Sequence, residues 1–114
     1  MIKLYGIKNC DSVKKAIRYC KAHELEYELI DLKEHPVDEK KIRHWLQQIP
    51  LSRLFNSRST SYRTLGLKAL NLDDTGKINW LSQENLLIKR PVLEYHDTIL
   101  VGYDENMYQE LLHS

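Results

Sequence analysis

The chain has 114 residues, of which 42% are hydrophobic and 29% charged, a composition close to the globular average that argues against disorder. A length below the roughly 150 residues of a typical domain predicts one domain, large enough to bury a single core. The net charge of +1 gives no reason to expect a nucleic acid or a membrane as partner. With no apolar run near the ~18 residues of a membrane span and no signal-peptide pattern, we expect a cytoplasmic protein.

Cysteine and histidine usage excludes two further classes. Two cysteines, Cys10 and Cys20, are too few for the disulfide framework of a small secreted protein. The five histidines are scattered and form no metal-ligand spacing with either cysteine. We therefore expect no metal site.

The first third of the chain predicts a βαβ unit. Its strand, helix and second strand are expected over Met1–Ile7, Cys10–His23 and Glu26–Leu32. The apolar residues of the helix recur on one face, and Asp11 or Ser12 is a suitable N-cap. Two strands joined through a helix are expected to be parallel, with a right-handed crossover.

The middle of the chain predicts helices. Asp38 can cap a helix whose apolar residues recur at i, i+3, i+4 and i+7 and which Pro50 stops. Ser52 to Leu67 is interpreted as a polar loop that leads into a short helix ending at Leu65-Gly66. Asp73 to Gly76 indicates a turn before another short helix through Trp80 and Leu81.

The last third returns to strands. Leu86–Arg90 leads into two short runs, Pro91–Tyr95 and Thr98–Val101, which predict a hairpin across a two-residue turn. Asp104 can cap a last helix that carries Met107, Tyr108, Leu111 and Leu112. The order is βαβ, then a helical segment of roughly fifty residues, then ββα. We expect an α/β fold in which residues 1–35 and 86–114 form the core and about 36–85 form a helical insertion.

Cys10 is the residue with the clearest chemical potential. It stands where a strand passes into a helix N-terminus, and the free N–H groups and helix dipole there favour an anion. For a thiol that anion is the thiolate, the form that attacks electrophiles. The alternative is a small buried hydrophobe at a strand end.

Cys20 is expected to be a core residue, because it shares the apolar face of the helix with Val13, Ala16 and Ile17. Ten helical residues separate the two cysteines by ~15 Å, too far for an internal disulfide. A CxxC motif would need a second cysteine at position 13, where the chain has Val13. Any redox cycle at Cys10 is therefore monothiol, resolved by an outside thiol such as glutathione.

Arg58 and Arg90 are candidate anion-binding residues. A guanidinium holds an oxyanion or carboxylate through two parallel hydrogen bonds and stabilises a neighbouring thiolate. Taken singly, an arginine is more often a solvated surface group than a functional residue.

Three blocks of sequence resemble the arsenate reductase-like family of the thioredoxin superfamily. They are Tyr5-Gly-Ile-Lys-Asn-Cys-Asp-Ser-Val-Lys-Lys-Ala16, Asn56-Ser-Arg58 and Ile88-Lys-Arg-Pro91-Val-Leu93. The resemblance covers nearly the whole chain and is greatest to the YffB-type branch. It implies a thioredoxin-like βαβ…ββα core with a mixed four-stranded sheet and an inserted helical subdomain.

The resemblance also implies roles for individual residues. Cys10 corresponds to the catalytic cysteine, and Arg58 and Arg90 correspond to the arginines around the oxyanion. Pro91 corresponds to a proline that is usually cis and faces the cysteine. With the residues around the cysteine, these form the set expected to bind substrate or glutathione: Asn9, Asp11, Ser12, Arg58, Arg90 and Pro91. No tightly bound cofactor is implied, with glutathione as co-substrate.

The chain departs from the arsenate reductases at the third arginine of their site, which falls on Leu100–Tyr103 and best on Gly102. Losing one charge-assisted contact, worth roughly 1.5–3 kcal/mol, weakens arsenate binding. The chain departs from the Spx-type transcription regulators by lacking their CxxC switch. The leading hypothesis is a glutathione-dependent thiol oxidoreductase acting on glutathione or a glutathionylated substrate. The alternatives are a regulator that binds the RNA polymerase α subunit and a weak arsenate reductase.

Overall fold

The elements of the fold follow the apolar spacing of the sequence through most of the chain. The computed structural model describes residues 1–113. The strands are β1 (Ile2–Gly6), β2 (Tyr27–Asp31), β3 (Val92–Tyr95) and β4 (Thr98–Val101). The helices are α1 (Asp11–Ala22), α2 (Glu39–Leu46), α3 (Leu51–Leu54), α4 (Thr60–Thr64), α5 (Asp74–Gln83) and α6 (Glu105–Leu112), with 3₁₀ turns at Leu67–Leu70 and Asn85–Leu87. Within this described part, no helix is long and apolar enough to cross a membrane.

The four strands form one mixed sheet in the order β2-β1-β3-β4. β1 runs antiparallel to β3, with Tyr5 opposite Val92, and β3 runs antiparallel to β4, with Val92 opposite Val101. The predicted βαβ…ββα order, the hairpin and the mixed four-stranded sheet are confirmed. This is the thioredoxin-like arrangement that the family resemblance implies.

Two compact units divide the chain. The first consists of Met1–Ile30 and the segment from Arg90 onward. Its core lies between one face of the sheet and helices α1 and α6. Ile2 and Leu4 both reach this core, because side chains two residues apart on a strand lie on the same face. The fully or nearly buried members of this cluster are Ile2, Leu4, Ala16, Tyr19, Cys20, Leu93 and Tyr108.

The second unit, Asp31–Lys89, is helical. Asp38 caps α2 by accepting a hydrogen bond from the Lys41 N–H at 3.0 Å, as the sequence predicts. Asn85, 6% exposed, accepts from the Val37 N–H at 2.7 Å and donates to the Leu81 carbonyl at 2.9 Å, so its buried amide is satisfied. The sequence-based bounds of the helical insertion, about 36–85, lie inside this unit. The assignment of the whole chain to a single domain stays a prediction.

Three local predictions are wrong. The N-cap of α1 is Cys10 rather than Asp11 or Ser12, because Cys10 has extended backbone angles while both of the others are already helical. The segment predicted as a loop from Ser52 is partly helical, since α3 covers Leu51–Leu54. The predicted turn at Asp73 is the start of α5, where the Asp73 carboxylate accepts from the Gly76 N–H at 2.8 Å.

Candidate active site

Cys10 joins the end of β1 to the start of α1. Its backbone is extended (φ −129°, ψ 126°), and its carbonyl accepts the first helical hydrogen bond from the Lys14 N–H at 2.9 Å. The thiol makes no capping hydrogen bond and is partly exposed. The N–H groups of the first helical turn are therefore not occupied by a capping side chain, and the positive end of the helix dipole lies beside a free thiol.

Gly6 fixes how closely β1 approaches this helix. A Cβ at position 6 would lie 2.6 Å from Val13 Cγ2, so only glycine allows the observed contact. Val13 is fully buried at the position where a CxxC motif would place its second cysteine. Gly6 and Val13, which lie on either side of Cys10 in the sequence, are therefore close together in the fold.

Cys20 is completely buried in the core of the first unit, as its place on the apolar face predicts. Burial raises the pKa of the Cys20 thiol, because an apolar surrounding disfavours the thiolate. Both cysteines are free. Since Cys20 is the only other cysteine of the chain and is fully buried, no accessible partner for a Cys10 disulfide is available within it.

Arg90 and Pro91 lie just before β3. The peptide bond between them is cis, as the family resemblance implies. Because Tyr5 is opposite Val92 in the β1–β3 register, Pro91 lies level with Gly6, at the end of β1 from which the chain continues to Cys10. Arg90 Nε is buried and has no hydrogen-bond partner within residues 1–113. A buried guanidinium N–H without a hydrogen-bond acceptor is energetically unfavourable.

Gly102 and Tyr108 support Pro91 through two hydrogen bonds in series, a role that is not predicted from the sequence. The Gly102 N–H donates to the Pro91 carbonyl at 2.8 Å, and the Tyr108 hydroxyl donates to the Gly102 carbonyl at 3.0 Å. Gly102 has φ +81°, a conformation that favours glycine. Gly102, the position that the family resemblance aligns with a third arginine, therefore supports the backbone of Pro91 here. The one signal in the sequence is a glycine directly after the last strand.

Arg58 lies in the second unit and is exposed. Its N–H donates to Asn56 Oδ1 at 3.1 Å, and the Asn56 N–H donates to the Leu87 carbonyl at 2.8 Å. Asn56 therefore both shapes the turn that carries Arg58 and anchors it. That Arg58 acts together with Cys10 stays a prediction.

The residues beside Cys10 occupy the loop and the first helical turn. Asn9 and Asp11 are exposed, and Ser12 is partly buried. Their roles in binding stay predictions. In the described part of the chain, no group of three or more His, Cys, Asp or Glu side chains is placed to hold a metal ion.

Known proteins share this architecture over almost its whole length. The sequence profile of the ArsC family matches residues 5–111. A Haemophilus influenzae protein of uncharacterised function is 37% identical, covering 96% of each chain. The solved structure of a protein named YFFB is 32% identical, with a TM-score of 0.88 over 96% of this chain and 97% of its own. A Streptococcus mutans structure described as a possible arsenate reductase is 32% identical, with a TM-score of 0.80 over 97% of each chain.

Proposed function

The chain is a member of the ArsC family, and we propose that it is a cytoplasmic, glutathione-dependent thiol oxidoreductase with Cys10 as its nucleophile. The observation that carries the proposal is a free, partly exposed thiol at the N-terminus of α1 whose side chain makes no capping bond. A thiol in this position is exposed to attack an electrophile, whereas Cys20 is not.

The proposed reaction proceeds in two thiol–disulfide exchanges. The Cys10 thiolate attacks the glutathione sulfur of a mixed disulfide, and the substrate leaves as a thiolate that takes a proton from water. A second glutathione, as thiolate, attacks the Cys10–glutathione disulfide, which releases glutathione disulfide and restores the Cys10 thiolate. The substrate disulfide gains two electrons, and the net oxidation joins two glutathione molecules. No cysteine other than Cys10 takes part.

Arg90 is proposed to hold a carboxylate of glutathione or of the substrate. Its buried Nε has no acceptor within residues 1–113, and a carboxylate would supply one in a charge-assisted hydrogen bond. Arg58 is proposed to bind a second anionic group, a role that rests on the family resemblance. Pro91 is proposed to line the site beside Cys10, with Asn9, Asp11 and Ser12 contributing polar contacts around the bound thiol.

Turnover of a glutathionylated peptide, coupled to glutathione reductase, tests the proposal. We expect turnover from the wild type and from Cys20→Ser, and none from Cys10→Ser. Arg90→Ala should lower kcat/KM about tenfold or more, the equivalent of one lost charge-assisted contact. Arg18→Ala, which removes an exposed arginine of α1, serves as the matched control and should change little. Equal activity of the wild type and Cys10→Ser would contradict the proposal.

A regulator that binds RNA polymerase is the second candidate, because curated relatives of the chain include proteins named global transcriptional regulator Spx. This function would need no thiol chemistry. It predicts that the chain binds the polymerase α subunit equally well with Cys10 or with Ser at position 10. A binding measurement with purified α subunit at micromolar concentration distinguishes the two candidates.

Arsenate reduction is the least supported of the three candidate functions. Gly102 supplies no cation where the arsenate reductases have an arginine, and its φ of +81° disfavours any larger residue. We expect arsenate-dependent oxidation of glutathione to be far slower than turnover of a glutathionylated peptide. Comparable rates would reverse this order.

A further inference from the structure

Charge is distributed very unevenly along this nearly neutral chain. Residues 40–72 contain seven of the seventeen Lys and Arg and none of the sixteen Asp and Glu. This segment therefore carries +7, while the rest of the chain carries −6. The whole segment belongs to the second unit. A local surplus of this size produces a positive potential that attracts anionic partners even though the net charge is only +1.

Two adjoining surface cavities lie in the basic segment. The larger, of about 690 Å³, is lined by the Tyr62 ring, Ala69 and the side chains of Arg63 and Lys68, among others. The smaller, of about 210 Å³, shares Tyr62 and Lys68 with it and continues toward Lys77. Long basic side chains commonly place their methylene stems along an apolar wall and their charged ends in water. The larger cavity thus combines an apolar wall with cations at its edge.

Exposed leucines adjoin this cavity in the sequence. Leu65 and Leu70 are 42% and 54% exposed, the largest values for leucine in the described chain, and they flank the lining residues Gly66, Lys68 and Ala69. Gly66, with φ +66°, lies between the end of α4 and the start of the 3₁₀ turn, so it separates Leu65 at the helix end from Leu70 in the turn. Two exposed leucines within six residues, next in sequence to the residues that line an apolar cavity, add apolar area to this part of the surface.

We propose that the face formed by Arg63, Leu65, Lys68 and Leu70 is a docking surface for an acidic protein segment that carries apolar side chains. Charge complementarity selects the acidic partner, since neither cavity is lined by an Asp or Glu side chain. The apolar wall and the leucines select a protein over a nucleic acid, because single-stranded nucleic acid needs aromatic faces for stacking. Tyr62, the one aromatic residue of the larger cavity, packs edge-on against Phe55 at 5.8 Å. The proposal is independent of the chemistry at Cys10.

Fluorescence anisotropy with the full chain and a labelled peptide of glutamate and leucine tests this surface. We expect Arg63→Glu and Lys68→Glu each to weaken binding about tenfold, and Leu70→Ser about threefold, because rim charges steer binding and apolar contacts hold the partner. Lys15→Glu, on the exposed face of α1, is the matched control and should change the affinity less than about twofold. Thermal melts of each variant check that it is folded.

Comparison probes identify the occupant. We expect the same peptide with serine in place of leucine to bind more weakly, and an oligonucleotide of equal charge to bind more weakly than the original peptide. The proposal is overturned if the oligonucleotide binds more tightly, if Leu70→Ser binds like the wild type, or if Lys15→Glu weakens binding as much as Lys68→Glu. Sedimentation that shows a dimer abolished by Lys68→Glu would assign the surface to a second copy of this chain and also overturn it.

Discussion

The Tyr108 hydroxyl should stabilise the fold through its hydrogen bond to the Gly102 carbonyl. Tyr108→Phe keeps the ring and its edge contacts with Tyr19 and Tyr103, at 5.7 and 5.0 Å, but removes the 3.0 Å bond. A typical buried hydrogen bond contributes about 0.5–1.5 kcal/mol, and leaving an acceptor unsatisfied costs about 1–3 kcal/mol. Since Gly102 is buried, we expect the free energy of unfolding to fall by about 1–2 kcal/mol.

Urea and thermal unfolding measure this effect. For a chain of this size, a loss of about 1–2 kcal/mol corresponds to a drop in Tm of roughly 4–8 °C. Tyr103→Phe is the matched control, because it removes a hydroxyl from a neighbouring ring of the same aromatic group. A Tyr108→Phe variant as stable as the wild type, or a Tyr103→Phe variant that loses as much, would refute the role assigned to the Gly102 bond.

Three further outcomes are expected. Gly6→Ala should lower the free energy of unfolding by about 1–3 kcal/mol, because the new Cβ would lie 2.6 Å from Val13 Cγ2. In urea unfolding, Val13→Ala should lower that free energy less in the Gly6→Ala background than in the wild type, because it removes the clashing methyl group. Alkylation by iodoacetamide, followed by mass spectrometry, should modify Cys10 rapidly and Cys20 only after unfolding, since Cys20 is fully buried; equal labelling of the native protein would contradict this assignment. Stability should fall as pH rises above about 9, because burial raises the pKa of Cys20 and of Tyr108 above their ordinary values of 9.0 and 10.0. The folded chain then retains protons that the unfolded chain has lost; urea midpoints that stay constant from pH 8 to pH 11 would exclude this effect.

Elements with a strong apolar period and a capping residue could be predicted from sequence. The helices capped by Asp38 and Asp104 begin where expected, because the carboxylate of each accepts an N–H three residues later. The βαβ and ββα order followed from the same periodicity. Cys20 was correctly placed in the core because it shares a helical face with apolar neighbours.

Local geometry limits what the spacing can predict. A turn and the first turn of a helix share backbone angles, so Asp73 to Gly76 fits either structure until the next residues extend it. Asp11 and Ser12 are better capping residues than cysteine, yet the chain enters the helix one residue earlier, at Cys10. Four-residue elements such as α3 are too short to show a period.

The candidate site shows the same limit. The position of Cys10 at a helix N-terminus follows from local spacing. For Gly102, the sequence indicates only that an arginine is missing there. Its positive φ and its bond to Pro91 depend on the hairpin and on α6, which are distant in sequence. The unsatisfied Nε of Arg90 depends equally on tertiary burial, and no sequence pattern encodes it.

The central claim is that Cys10 alone forms and releases a mixed disulfide with glutathione. Intact-mass spectrometry after treatment with glutathione disulfide, then after addition of reduced glutathione, tests both halves of that cycle. We predict one glutathione adduct, located on the peptide that contains Cys10, absent from Cys10→Ser, retained in Cys20→Ser and removed by reduced glutathione. An adduct on Cys20, or no adduct on folded wild type, would contradict the account.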